Sequence, residues 1–417
     1  MSGAPLYRSR PGGFDIRPAA GGDAVAVADG VWLSEGLSNS YCVVTPAGRV
    51  VVNTGMGFEG PVHRRRYDAV DGGPIRYVLL TQGHVDHVGG IEAFREAGTQ
   101  IVAQARNRAC QDDDARIHRF RVAHSAPFLP DAVGRAERNL HVQARPEPTL
   151  TVDDRHDFEL GGVRFALHAT PGGETVDGMC VALPDRGVVF TGNVFGALFG
   201  HFPNLVTLRG DRLRFALPFI ESVERVLALD ADVLLTGHFG PVRGRALVRR
   251  ELLRLRDAVR FVHDAVVDGM NAGRDVESLM RDVRLPPELE VGQGYGKVSW
   301  GVRAIWEGYA GWFHQRSTTE LYPVPASAAY PDVVALAGGA DAVAARARAR
   351  LAAGGAVEAV HLCEIALAAE PRCRAALEVF VAAHEQLVED SGGQNFWEVG
   401  WLRHQIRRAR ALLEGAA

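Results

Sequence analysis

The sequence of 417 residues contains a single lysine, Lys297, although 46 basic and 50 acidic side chains are nearly balanced. With a formal net charge of -4, the chain lacks the basic excess of an electrostatic nucleic-acid binder. It also lacks an uninterrupted apolar run of about 18 residues, the length that a membrane-spanning helix needs. We therefore expect a protein that binds neither nucleic acid nor membrane.

Cysteine is scarce as well. The five cysteines are odd in number and form no CxxC pair, which argues against a disulfide framework and against a cysteine zinc site. The first twenty residues, MSGAPLYRSRPGGFDIRPAA, contain arginines and prolines where a secretion signal needs an apolar core. These features predict a cytoplasmic protein in a reducing compartment.

The hydrophobic pattern divides most of the chain into a lead-in and an α/β region. Residues 1–29 are a polar lead-in. From residue 30 to about 240, short β-type runs such as RVVVNTG, RYVLLTQG and GVVFTGN alternate with helical stretches, including Ile91–Ala97 and Leu213–Ala228. Apolar residues at three- and four-residue spacings then predict one long helix over Arg243–Met270.

The last third of the sequence is helical and rich in alanine. The segment 292–325 holds three of the six tryptophans, and it is either aromatic core beneath a loop or a contact surface with another subunit. Two helix pairs are predicted near 340–353, 356–369, 372–389 and 395–413, with the small-residue placement of a tetratricopeptide-like unit. Two pairs are fewer than a free solenoid needs, so they should pack on the rest of the chain or on a second protomer.

The strongest chemical signal is the segment TQGHVDHVGG, which follows the predicted buried strand RYVLL. It places His84, Asp86 and His87 within four residues at the end of a strand. Two imidazoles and a carboxylate there can converge on one or two divalent cations, and hydrogen-bonded core histidines are the alternative explanation.

This segment resembles the HxHxDH signature of the metallo-β-lactamase superfamily, and the later motifs TPGGET, FTGN and TGHFG follow in that family's order. The chain is more particularly similar to the alkyl sulfatase branch, which has glutamate as the third ligand, an NLxTLRG segment (here residues 204–210) and a helical dimerisation domain. The resemblance implies an α/β fold, a metallo-β-lactamase αββα sandwich over residues 30–285. An all-α, tetratricopeptide-like dimerisation domain would follow over residues 286–417, so we expect a homodimer.

The resemblance also implies a binuclear metal site. Its ligands would be Gln82, His84 and Glu174 for the first ion, and Asp86, His87 and His238 for the second, with Asn193 where the family has a bridging carboxylate. Zinc is the expected metal, as one or two ions per chain, with iron or manganese as alternatives.

Three amides depart from the family pattern. Gln82 stands where the superfamily has histidine, and Asn193 and Asn53 stand where it usually has aspartate. Because a neutral amide is a weak ligand, we expect the first site to be weak or empty. The second set is a complete two-histidine, one-carboxylate triad, which suits zinc or non-haem iron.

Two residues are candidates for substrate binding. Arg209 matches the arginine that the family directs at sulfate, and a surface salt bridge is the alternative. His201, in FGHFPN, lies on a loop that should overhang the site, where it would contact substrate or simply be exposed.

The sequence thus predicts a metal-dependent hydrolase that acts on a small anionic, sulfate-ester-like substrate, with Asp86, His87 and Arg209 as catalytic residues. One alternative is a mononuclear, iron-dependent redox or other non-hydrolytic enzyme. Another is a catalytically inactive dimeric binding protein.

Overall fold

The computed structural model describes residues 3–415. Of these, residues 3–124 and 131–308 form one compact unit, and residues 125–130 and 309–415 form a second. The boundaries expected at residues 29 and 285 stay predictions. No helix within the described range combines the length and the apolar character that crossing a bilayer requires.

Two β-sheets form the centre of the first unit. The first sheet contains, in spatial order, β1 (Val25–Ala28), β2 (Val31–Ser34), β3 (Ser40–Thr45), β4 (Gly48–Val52), β5 (Ile75–Leu80), β6 (Gln100–Gln104) and β7 (Leu150–Val152). The second contains β8 (Arg155–Leu160), β9 (Val163–Ala169), β10 (Met179–Leu183), β11 (Val188–Gly192), β12 (Val233–Thr236) and β13 (Val242–Arg243), in the reverse spatial order. Strands β4 to β7 are parallel neighbours, as are β11 and β12, and the other pairs are antiparallel.

Nine helices of the described chain belong wholly or mainly to the first unit. They are α1 (Gly60–Asp68), α2 (Val85–Val88), α3 (Asn107–Arg116), α4 (His118–Ser125), α5 (Pro130–Arg138), α6 (Ala216–Ala228), α7 (Arg245–Asn271), α8 (Val276–Asp282) and α9 (Val298–Ala310). Short 3-10 turns of the first unit occur at Leu6–Ser9, Gly13–Asp15, Ile91–Ala93, Leu140–Val142, Pro184–Arg186 and Pro287–Leu289. Those of the second unit occur at Thr318–Leu321 and Ala326–Ala329.

The apolar core of the first unit lies in three layers. Residues of both sheets, such as Val43 and Phe165, fill the space between the sheets. Tyr67 of α1 covers the outer face of the first sheet, and Phe219 of α6 and Leu255 of α7 cover that of the second. Every residue of β4, β10 and β11 is buried, as expected of strands covered on both faces. The predicted αββα sandwich is confirmed.

The helix predictions in this unit are confirmed in part. The long helix predicted over Arg243–Met270 is α7, but the helix predicted over Ile91–Ala97 is wrong, because only a 3-10 turn forms there. The Glu96 amide donates to the Thr99 hydroxyl at 3.0 Å and not to a carbonyl of the preceding turn, so the helical hydrogen bonds do not continue. Helix α6 begins three residues later than predicted.

The second unit contains α10 (Tyr330–Leu336), α11 (Ala340–Ala352), α12 (Ala356–Ala369), α13 (Arg374–Asp390) and α14 (Phe396–Glu414). The last four confirm the four predicted helices to within about two residues. Small buried side chains such as Ala347, Cys363 and Ala409 line their contacts and allow the helices to approach closely. By contrast, Trp312 and Tyr322 are 73% and 63% exposed, so an aromatic core is the wrong interpretation for these two side chains.

Candidate metal centre and anion site

The sequence-predicted ligands meet at one edge of the two sheets, in the segments that follow β5, β9, β11 and β12; Asp86 and His87 lie on the short helix α2. Asn53, directly after β4, is hydrogen-bonded to the segment that follows β5. Its side chain accepts from the Thr81 amide and donates to the Thr81 hydroxyl, both at 2.9 Å. It has a left-handed φ of 59°, which asparagine tolerates better than most residues. The amide at position 53 therefore has a structural role here.

The first predicted ligand set is assembled, but its polar atoms are paired with one another. The Gln82 amide nitrogen lies 2.8 Å from Nδ1 of His84 and donates to Oε2 of Glu174 at 3.0 Å. The other oxygen of Glu174 accepts from the Tyr295 hydroxyl and lies 3.6 Å from Nη1 of Arg214. Both oxygens of this carboxylate thus face protein donors rather than open space.

Glu174 is ionised in this environment. Burial alone would raise the pKa of this carboxyl, but the charge of Arg214 and the hydrogen bond from His84 hold its pKa well below the usual range. A buried carboxylate needs a compensating positive charge, and Arg214 supplies it.

The second predicted set has the protonation states that a metal ion requires. Nε2 of His87 lies 3.6 Å from Oδ2 of Asp86, and Nδ1 of His87 lies 3.2 Å from the Ser38 hydroxyl. Burial lowers the pKa of His87 and lowers that of His238 to about 4, so both imidazoles are neutral at pH 7. Burial opposes ionisation of Asp86, but the neighbouring histidines His87 and His84 lower the pKa of this carboxyl. Neutral imidazole and ionised carboxylate are the ligand forms of these groups.

Asn193 belongs to this second set by position. Its side-chain nitrogen lies 3.2 Å from Nε2 of His238, and its buried side-chain oxygen has no hydrogen-bond partner within residues 3–415. An unpartnered buried oxygen is costly unless something else binds it. The side-chain amide of Asn193 therefore lies beside His238, and its oxygen is available there as an acceptor.

The first and second ligand sets differ in how well their donor groups suit a divalent cation. In the described part of the chain, no three His, Cys, Asp or Glu side chains are arranged so that they could hold an ion. The first set does not fit a cation, because Gln82, Tyr295 and Arg214 already engage Glu174. The second set fits one in its donor chemistry, with two neutral imidazoles and one carboxylate, although these are not in ligating geometry.

Sequence reasoning missed a cluster of charged residues that converge beside the first set. Oδ2 of Asp211 has four side-chain nitrogens within ion-pair distance: Nε2 of His84 at 3.2 Å, Nη2 of Arg214 at 3.4 Å, Nη2 of Arg209 at 3.5 Å and Nη2 of Arg121 at 3.6 Å. Asp211 and Arg214 directly follow the LRG segment, so the charged run DRLR was an available signal. Arg121 lies on α4, in a region where no motif pointed to the site.

The two predicted substrate-binding residues lie in different surroundings. Arg209 belongs to the charged cluster, next to Glu174 and Asp211, and its contact with substrate stays a prediction. His201 is only 8% exposed, so simple surface exposure, one of the two alternatives for this residue, is wrong. Its Nδ1 accepts from the Gly294 amide at 2.9 Å, and its ring packs edge-on against Tyr7. These contacts hold His201 between two loops, and substrate contact by this residue also stays a prediction.

Two family models match the chain. The model described as Metallo-beta-lactamase superfamily matches residues 33–262, and the model described as Alkyl sulfatase dimerisation matches residues 276–398. The first match covers more than half of the chain and contains all the predicted metal ligands.

Similar proteins include a linear primary-alkylsulfatase from Pseudomonas sp., 29% identical over 72% of this chain and 61% of the relative. An alkyl/aryl-sulfatase from Saccharomyces cerevisiae is 26% identical over 66% of this chain and 46% of the relative. The chain thus spans about half to three fifths of the length of these relatives.

Among solved structures, the sec-alkylsulfatase Pisa1 from Pseudomonas sp. has a similar fold. Its TM-score is 0.79 at 22% identity, over 94% of this chain and 65% of that chain. The order of the motifs, the αββα sandwich and the match over residues 33–262 agree, and the chain belongs to the metallo-β-lactamase superfamily.

Proposed function

We propose that this protein is a metal-dependent hydrolase of small sulfate esters. The observation that carries the proposal is the group of three guanidinium groups, Arg121, Arg209 and Arg214, beside the HxDH loop. Guanidinium groups bind tetrahedral oxyanions through charge-assisted hydrogen bonds. The matched relatives are named alkylsulfatases, which supports sulfate as the anionic group.

The second ligand set would hold a single divalent ion through Asp86, His87 and His238. Such an ion, when bound, supplies Lewis acidity and lowers the pKa of a water molecule to about 7. Zinc is the commonest metal for this donor set, and iron or manganese would also accept it.

The chain's own residues would do the remaining work. Arg209 and Arg121 attract the anionic group and orient the ester. Asp86 is ionised at neutral pH, so its carboxylate can accept a proton from the attacking water. His87 and His238 stay neutral because they are buried.

Exposed apolar residues that neighbour the site residues in sequence support a substrate with a hydrocarbon part. Val85 follows His84, Phe120 precedes Arg121, and Leu213 lies in the DRLR run; all three are more than 40% exposed. A charged cluster whose sequence neighbours include exposed apolar side chains suits an amphiphilic ester, with its anionic end on the arginines.

The two alternative functions are not favoured. A redox or other non-hydrolytic enzyme, and an inactive binding protein, both remain compatible with one weakened metal site. Neither explains why three arginines lie at the edge of the sheets that carries the predicted ligands. Neither agrees with relatives that are named alkylsulfatases.

We also propose that the protein forms a homodimer through its second unit. The dimerisation model matches residues 276–398, and the second unit exposes Trp312, Tyr322 and Leu336. Exposed aromatic and aliphatic side chains of this size are typical of subunit contacts. A cytoplasmic location stays part of the proposal.

The test is sulfate release from primary and secondary alkyl sulfates, with phosphate and carboxyl esters as comparison substrates. Arg209→Met should lower kcat/KM for the sulfate ester by about 10- to 100-fold, the effect of one charge-assisted hydrogen bond. Arg164→Met is the matched control, since Arg164 pairs with Asp185 on the exposed surface.

His87→Ala should remove both bound metal, measured by mass spectrometry, and sulfate release. Turnover retained by this variant would contradict a metal-dependent mechanism. Hydrolysis of phosphate or carboxyl esters without hydrolysis of any sulfate ester would contradict the assignment of sulfate.

A further inference from the structure

The charged cluster contains an anion of its own. Asp211 presents a single carboxylate oxygen, Oδ2, to Arg121, Arg209, Arg214 and His84 at 3.2–3.6 Å. This is the arrangement in which proteins bind one oxygen of a sulfate or phosphate group. The side chain of the protein thus lies where the anionic group of a substrate would be bound.

Asp211 is more accessible than Glu174, the other carboxylate that contacts Arg214. Its side chain is 17% exposed, whereas that of Glu174 is 2% exposed and also accepts from Tyr295 and Gln82. The other oxygen of Asp211 accepts a local hydrogen bond, from the Arg212 amide at 2.8 Å. An incoming anion could therefore replace Asp211 without dismantling the buried interactions of Glu174.

The charge of Asp211 weakens the binding of another anion to the cluster. With Asp211 in place, three carboxylates face the three guanidinium groups, because Asp114 also pairs with Arg121. Without the charge of Asp211, Glu174 and Asp114 face them. A ligand that must first displace a bound competitor has its apparent affinity reduced by the fraction of sites that are free.

We propose that Asp211 is a specificity-determining residue, a built-in anion that competes with the anionic group of the substrate for Arg121, Arg209 and Arg214. The inference rests on the proposed function in one respect, since it takes the anionic group to be sulfate. Anions that bind weakly to the arginines are excluded by the carboxylate, and only an ester that makes further contacts displaces it.

The experiment measures binding of inorganic sulfate by calorimetry to the full-length protein. Asp211→Asn should bind sulfate at least about tenfold more tightly than the unmodified protein, because the competing charge is gone. Asp112→Asn is the matched control: it makes the same charge change at an exposed carboxylate that pairs with Arg108 and Arg145, and it should not change sulfate affinity. In the double variant Asp211→Asn/Arg209→Gln, the gain should be lost.

Folding is checked for each variant by circular dichroism. If Asp211→Asn does not fold, Asp211→Ser removes the same charge, keeps an oxygen for the Arg212 amide, and is interpreted in the same way. Sulfate affinity equal to or weaker than that of the unmodified protein, in the folded variant, would overturn the inference.

Kinetics give a second measurement. For an alkyl sulfate, Asp211→Asn should lower KM by about tenfold while kcat changes much less, since the competition acts on binding. A fall in kcat with unchanged KM would contradict the inference. Sulfate binding needs no turnover, so a failure of ester hydrolysis contradicts the proposed function alone, and unchanged sulfate affinity contradicts this inference alone.

Discussion

The contacts of Glu174 lead to a prediction about stability in the absence of metal. If Glu174 were kept mainly to bind a cation, the metal-free protein would contain an uncompensated buried carboxylate, and Glu174→Ala would stabilise it. In the structure, Arg214, Tyr295 and Gln82 already compensate this charge. We therefore expect Glu174→Ala to destabilise the metal-free protein.

The magnitude follows from burial. The side chains of Glu174 and Arg214 are 2% and 8% exposed, and removing one partner of a buried ion pair costs about 3–5 kcal/mol. Arg214 keeps its contact with Asp211 and a hydrogen bond to the Asn204 carbonyl, so the lower end, about 3 kcal/mol, is expected. Tyr295 also loses the acceptor of its hydroxyl.

The assay is urea unfolding of chelator-treated protein, followed by tryptophan fluorescence and circular dichroism. Glu290→Ala is a matched control, because Glu290 also accepts from a tyrosine and an arginine, Tyr7 and Arg8, but at the surface. Its loss should cost a small fraction of the Glu174 effect. A Glu174→Ala protein as stable as the unmodified protein, or more stable, would refute the reasoning.

Three further predictions concern the metal site, acid stability and assembly. Gln82→His alone should leave the metal content at about one ion per chain, because Arg214 and Tyr295 still engage Glu174. A rise to two ions would show that the amide was the obstacle. Burial lowers the pKa of His63 in the folded protein to about 3. Between about pH 6.5 and pH 3, His63 is therefore protonated in the unfolded chain and neutral in the folded chain. The free energy of unfolding should therefore fall by up to about 1.4 kcal/mol per pH unit in this window, and His63→Gln should make the slope shallower; an unchanged slope would contradict this assignment. Sedimentation at micromolar concentration should give the mass of a dimer, and Trp312→Glu should shift it toward the monomer; a monomeric unmodified protein would contradict the proposed assembly.

The positions of the candidate ligands could be predicted well from the sequence. His84, Asp86 and His87 are close in sequence, and a strand followed by a tight loop brings them to one edge of a sheet whatever the remainder of the chain does. Glu174 and His238 were found through the order of the family's motifs. The helices of the second unit were equally predictable, since their period and their glycine and proline boundaries are local properties.

The side chains that contact Glu174 in the first ligand set could not be predicted from local sequence patterns. Tyr295 lies 121 positions after Glu174, and Arg121 lies 90 positions before Asp211, so no local pattern links these side chains. The sequence showed that Gln82 is a poor ligand. It did not show that Arg214 and Tyr295 take the place of a cation at Glu174.

The sequence by itself thus determined the alternation of strands and helices, the helical region after it and the loops that carry the candidate ligands, because hydrophobic periodicity and short motifs act over a few residues. The αββα sandwich was implied by the family resemblance. Only the tertiary structure decided which charges face each other at those loops. Burial raises the cost of every unpaired charge, so the folded chain pairs Glu174 with Arg214 and surrounds Asp211 with three arginines. These long-range pairings separate the set that fits a metal ion from the set that does not.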